Sequence, residues 1–108
     1  MTKERLRQYR SLKLEERQLM EQGNRIEAQE SEALHEFYRK HLEELKAELL
    51  AIETAIAALP SPARTILRDY YMNGLTWEEV GERNHYCLQH CHRIHSDALI
   101  ALRGAQRD

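Results

Sequence analysis

Residues 1–59 contain one glycine, Gly23, and no proline, so almost nothing in the first half of the chain can stop a helix. Between Ile26 and Leu59 the apolar residues recur at alternating spacings of three and four. Leu42, Leu49 and Ile56 form one row, and Tyr38, Leu45, Ile52 and Leu59 form the other. Glu43, Glu44, Glu48 and Glu53 fall off this seam, toward water. A helix of about 34 residues is roughly 50 Å long, and its apolar stripe needs a partner.

Residues 2–22, rich in Arg, Glu, Leu and Gln, predict another helix with Leu6, Tyr9, Leu12, Leu19 and Met20 as its apolar positions. "QGNR" at 22–25 predicts the break between the two, with Gly23 at a C′ position and Asn24 as an N-cap. The first helix then folds back on the second, or the long helices of two chains pair. A two-helix hairpin is thin and leaves apolar surface over, so both are expected together, with a homodimer through residues 26–59. A solvated linker helix with no partner is the remaining alternative.

"LPSPAR" at 59–64 ends the long helix, because Pro60 biases Leu59 away from helical angles and Ser61-Pro62 reads as an N-cap followed by proline at the first helical position. The chain divides there into a helical segment, 1–59, and a second domain, 60–108. In the latter, Ile66, Leu67, Tyr70 and Tyr71 give one short helix an apolar face, and Asn73-Gly74 stops it with glycine in the left-handed cap. "LTWEEV" is a complete helix start: Thr76 caps, Glu79 closes a capping box, and Leu75 with Val80 forms the hydrophobic staple. Gly81 inside that helix costs about 1 kcal/mol relative to alanine, which points to close approach of a neighbouring helix. Asn84 and His85 tolerate left-handed angles and place a turn. A last helix runs from about Cys87 to Leu102 with Cys91, Ile94, Ala98, Leu99 and Leu102 inward.

Short helix, turn, longer helix is the helix-turn-helix arrangement, whose second helix enters the DNA major groove. Leu88, Gln89, His92, Arg93 and Ser96 then face outward. Glutamine suits adenine, arginine suits guanine, and leucine suits a thymine methyl. Arg64, Arg68, Arg83, Arg103 and Arg107 are candidates for phosphate contacts.

The net charge of −2 and a pI near 6.3 exclude global basicity as an argument for nucleic acid. The charge over 60–108 is balanced, six basic against six acidic residues. "MTKERLRQYR" lacks a signal-peptide core and no run is long enough to span a membrane, which predicts the cytoplasm of a bacterial host cell. Reduced Cys87 and Cys91 fit that compartment.

"HYCLQHCHRIH" at 85–95 has the composition of a metal site. On a helix, however, Cys87, Cys91 and His95 stand at i, i+4 and i+8, spread over about 12 Å. One zinc ion with bonds of about 2.0–2.3 Å cannot reach all three. No metal and no other cofactor is assigned. Cys91 is read as a small core residue, His95 as a partly buried, hydrogen-bonded histidine, and His85 as a turn residue. His90 and His92 face solvent or phosphate, and Trp77 packs over the core. No Ser/His/Asp set or Gly-rich phosphate loop suggests an enzyme.

The run "LPSPARTILRDYYMNGLTWEEVGERNHYCLQHCHRIHSDALIAL" resembles the fourth region of bacterial sigma factors. It is more similar still to small phage proteins that join a helical N-terminal segment to such a helix-turn-helix. The matching elements are Leu59-Pro60, Ile66-Leu67 with Tyr70-Tyr71, Gly74 to Val80, His85-Tyr86, Arg93-Ile94-His95 and Ala98-Leu99. The resemblance implies an all-α phage or prophage transcription regulator, such as a late-gene activator, acting on promoter DNA. Three departures stand out: Cys87 replaces the usual capping serine, Asn84 replaces an apolar residue, and His90 with His92 is an uncommon pair on a groove-facing helix. Two other readings stay open. One is a module that docks on RNA polymerase or a sigma factor without touching DNA; the other is a DNA-packaging role like that of a small terminase subunit.

Overall fold

The computed structural model describes residues 1–27 and 29–104. Among them there are helices and no strand: α1 (Lys3–Arg7), α2 (Tyr9–Asn24), α3 (Glu32–Ala57), α4 (Ala63–Leu67) running into a π turn (Arg68–Met72), α5 (Trp77–Asn84) and α6 (Leu88–Gly104). The fold is all-α, as expected.

The first half is a helical hairpin, and α2 packs along α3. Leu45, Leu49, Ile52 and Ile56 are buried, together with Leu19 of α2, so the chain's own second helix covers the seam. Tyr38 and Leu42, toward the tip, are only half-buried. Polar contacts tie α2 to α3 at their edges, where the Tyr9 hydroxyl donates to Glu53 Oε1 at 2.6 Å and His41 faces Glu15 at 3.9 Å, and Arg5 of α1 faces Glu48 of α3 at 3.7 Å. Burial and the Glu53 carboxylate together push the Tyr9 hydroxyl well above its usual range.

The break between the helices lies later than the sequence suggested. Gly23 and Asn24 are helical, and the cap of α3 is Ser31, whose hydroxyl accepts from the Leu34 amide at 3.2 Å. Serine supplies a side-chain acceptor there, and nothing lies within 4 Å of the place where a Gly23 side chain would begin. The long helix therefore has 26 residues, not about 34. The first helix is also divided, at Gln8, whose amide bonds back to the Arg5 and Leu6 carbonyls. Ser61 provides no cap; Pro62 occupies the N-cap position of α4, after a cis Ser61–Pro62 peptide.

One hydrophobic core runs across the Leu59–Pro60 boundary. Leu6, Tyr9, Leu49, Ile52, Ile56 and Leu59 cluster with Ile66, Leu67, Tyr71, Val80, Cys91, Ala98 and Leu102. Leu6 is fully buried although α1 is only five residues long. The chain's ammonium group donates to the Leu102 carbonyl at 3.2 Å, a cation at a helix C-terminal turn. Thus α1 closes the C-terminal helices from outside.

Truncating a fully buried leucine removes transfer free energy and leaves a cavity. Leu6→Ala is expected to lower stability by about 2–5 kcal/mol. Because the core is shared, circular dichroism and the fluorescence of Trp77, the only tryptophan, should report the same shifted transition in denaturant. A Trp77 transition left in place would show that the two halves unfold separately.

Candidate nucleic-acid interface

The turn between α5 and α6 is built from local chemistry. Thr76 Oγ1 accepts from the Glu79 amide at 3.2 Å and Glu79 Oε1 accepts from the Thr76 amide at 3.1 Å, completing the capping box. At the other end of α5, His85 adopts left-handed angles, φ 60 and ψ 40. The Tyr86 amide donates to the Gly81 carbonyl at 2.9 Å and the His85 amide to the Glu82 carbonyl at 3.4 Å, the pattern of a Schellman cap with histidine where glycine is common. This return explains Gly81. A Cβ there would lie 2.8 Å from the Tyr86 carbonyl oxygen, so the close neighbour is the turn backbone rather than another helix, with Cys91 Sγ behind it. The α6 start follows at once, with the Cys87 carbonyl accepting from the Cys91 amide at 3.1 Å.

Asp69, buried in the π turn, holds this arrangement from beneath. Its Oδ1 accepts from Asn73 Nδ2 and its Oδ2 from Asn84 Nδ2, each at 3.2 Å, while Arg83 Nε stands 3.8 Å from Oδ2. Its main-chain carbonyl accepts from the Leu75 amide at 3.1 Å. Asn84 also donates to the Val80 carbonyl at 2.8 Å. One carboxylate thus joins the π turn, the 73–75 loop and the last turn of α5. Its role was not visible in the sequence; the Asp69–Asn73 spacing of four was the only signal.

An aromatic layer fixes α6 against the rest. Tyr70 stacks on Trp77 at 4.0 Å between ring centroids, and Trp77 meets both His92 and His95 at 4.8 Å. His95 is buried, and the Tyr71 hydroxyl lies 2.6 Å from its Nε2. Burial first, then the positive charges of Lys3, His92 and Arg7, pulls the His95 pKa down to about 4. The ring is therefore neutral near pH 7 and shares a hydrogen bond with Tyr71, whose own hydroxyl is pushed up to about 12, mainly by burial. Trp77 and His95 both occupy the core-side places expected of them, and Cys91 is fully buried, its thiol raised by the same desolvation.

With Cys91, His95, Ala98 and Leu102 turned inward, the opposite face of α6 presents Leu88, Gln89, His92, Arg93 and Ser96, all exposed. The expected phosphate contacts are less uniform. Arg68 is exposed in the π turn and Arg103 near the end of α6, whereas Arg64 is half-buried on α4. Arg83 reaches back to Asp69, with most of its side chain still in solvent. Arg107 lies outside the described residues. Cys87 is exposed and Cys91 buried; among the described residues no group of three or more His, Cys, Asp or Glu is placed to hold a metal ion. No helix among them is long and apolar enough to cross a membrane.

Because the folded pKa of His95 lies below that of a free histidine, about 6.5, the unfolded chain binds the proton more tightly. Stability from this group is complete above about pH 6.5 and is lost as pH falls toward 4. The difference should reach about 2–3 kcal/mol at pH 4. Denaturant titrations from pH 7 to 4 should show His95→Gln losing less stability than the wild type across that window. Parallel curves for the two proteins would exclude His95 as the source.

Residues 55–104 match the family model described as Sigma-70, region 4. No curated protein and no solved structure matches the chain. The matched span begins in the last turns of α3 and ends with α6, so it takes in the core residues Ile56 and Leu59 as well as the turn. Residues 55–104 therefore form a sigma-region-four-like helix-turn-helix.

Proposed function

We propose that this protein is a non-enzymatic, DNA-binding transcription regulator of a phage or prophage, acting in the host cytoplasm, that reads promoter DNA with the outward face of α6. The observation that carries the reading is the division of α6 into two faces. Cys91 and His95 are sealed against the core, while Gln89 and Arg93 project into solvent just past the Schellman turn. Both have side chains that pair bidentately with a base edge, and Leu88 and His92 flank them. On this reading Arg68 and Arg83, with Arg64 and Ser96 in support, serve as phosphate and backbone contacts. In this reading residues 60–108 form the DNA-binding part and 1–59 the part that carries and pairs it.

Gln89→Ala and Arg93→Ala are each expected to cost about 1–3 kcal/mol of discrimination between the target duplex and a scrambled one, measured by fluorescence anisotropy with promoter DNA. Binding by the wild type should weaken as salt rises. Undiminished selectivity in the double variant would remove α6 from the role.

Pairing through residues 26–59 would set the spacing of two half-sites. It is supported at the hairpin tip, where Phe37 is 61% exposed and Leu34 37% exposed, and where Ile26, Tyr38 and Leu42 line a shallow apolar groove. Light scattering should give twice the chain mass of 12.8 kDa, and Phe37→Glu should return the protein to monomer. A monomeric wild type would end this part of the reading.

A second reading, docking on RNA polymerase or a sigma factor without DNA contact, is favoured by one observation, the balance of six basic and six acidic residues over 60–108. Capture of polymerase by a protein that binds no duplex would select it.

A further inference from the structure

The phosphate backbone supplies much of the affinity of a DNA-binding protein, yet residues 60–108 carry no net positive charge. The positive charge lies elsewhere. Residues 1–17 hold six Lys or Arg against three Glu, and the fold lays this segment against the helix-turn-helix. We propose that α2 is a second arm of the DNA interface, in which Arg10 and Arg17, with Arg68 opposite them, hold backbone phosphates beside the first helix of the helix-turn-helix. The proposal rests on the DNA-binding reading of α6 and adds a phosphate-binding surface to it.

Three observations carry it. The first is contact: the Arg10 guanidinium lies over Gly74, so closely that a Cβ at that position would sit 2.5 Å from Arg10 Cζ. Gly74, with φ +71, is two residues before the Thr76 cap of α5, and Trp77 at the start of α5 touches His92 on the outward side of α6. Arg10 thus stands against the loop that leads into α5, whose first residue meets α6.

The second is alignment. Arg10 and Arg17 are two turns apart on one side of α2, about 10 Å along its axis, and both line an open groove whose other wall is Arg68, Met72 and Asn73. The third is availability. Lys13 is held by Glu16 and Glu53, at 3.6 and 3.9 Å, and Arg5 by Glu48. Among the described residues no carboxylate stands within ion-pair distance of Arg10, Arg17 or Arg68. Of the groove's own carboxylates, Glu16 is the Lys13 partner and Glu21 lies one turn beyond Arg17. Three guanidiniums without partners along one groove match phosphates, which they bind bidentately.

The test is a salt titration of duplex binding by the full chain, comparing wild type with Arg10→Gln/Arg17→Gln. Each phosphate contact contributes about 0.9 to the slope of log K against log salt, so losing two should lower it by about 1.8. Between 50 and 200 mM salt the wild type should then lose roughly tenfold more affinity than the variant. The preference for target over scrambled duplex should not change, since phosphates carry no sequence information. Arg10→Lys/Arg17→Lys should keep most of the slope, and Lys46→Gln on α3 all of it. Should the double variant fail to fold by circular dichroism, Arg17→Gln alone, on an exposed helix face, should show half the change. An unchanged slope overturns the proposal, and if Arg93→Ala still lowers selectivity the α6 reading survives it. A wild type that binds no duplex overturns both, and would leave the basic groove to an acidic protein surface.

Discussion

The Asp69 carboxylate is the constraint on which the geometry of the C-terminal half depends. A buried carboxylate is costly unless its oxygens are fully satisfied. Here both oxygens are met by amides from two other segments, Asn73 before α5 and Asn84 at its end, and Arg83 caps the network from the solvent side. Losing any one partner leaves a desolvated acceptor, worth about 1–3 kcal/mol for a hydrogen bond to a charged group. That penalty selects the arrangement in which the loop and both ends of α5 are correctly placed. The angle at which α6 leaves the turn is set by the left-handed His85, one residue after Asn84, so the same network aims the outward face of α6. Asn84, a departure from the apolar residue usual at this place in sigma-like sequences, is accounted for by its partner: an apolar side chain there would leave Asp69 Oδ2 with Arg83 alone.

The second determinant is the way α1 and α2 close over the helix-turn-helix. Leu6 fills the same core as Val80 and Cys91, and the chain's ammonium group reaches Leu102. Beneath that lid lies the Tyr71–His95 pair, a buried polar contact in a place where desolvation disfavours the charged imidazole. The packing has a consequence for recognition. Charges on α2 stand at fixed positions relative to α6, because both helices rest on one core, whereas charges on a tethered arm would lose entropy on binding.

Much of this was legible in the sequence, and for identifiable reasons. The Thr76–Glu79 box and the Asn73-Gly74 stop are local: their chemistry lies within a few residues, and each holds in the structure. The inward face of α6 followed from its spacing. What was missed is what depends on distant partners. Gly23-Asn24 resembled a break because both residues are good at ending helices, yet Ser31 had the better side chain for starting α3. The seam residues Leu45 to Ile56 were recognised as needing cover, but their spacing is the same whether α2 or a second chain supplies it. Asp69 and Arg10 were silent because their meaning comes from Asn84, 15 residues away, and Gly74, 64 residues away.

Recognition and retention make different demands on charge, and the interface proposed here separates them. A base-reading face needs a few bidentate groups and gains little from net charge, so α6 can carry Gln89 and Arg93 in a segment balanced by Glu78, Glu82 and Asp97. Retention on a polyanion needs cations in excess, and the excess sits on residues 1–17. A neutral reading module discriminates well because weak non-specific attraction leaves the base contacts to decide among sites. On the proposed reading, placing the cations on a separate helical layer, locked to that module through Leu6 and Tyr9, would let affinity be tuned on α2 without touching the outward face of α6.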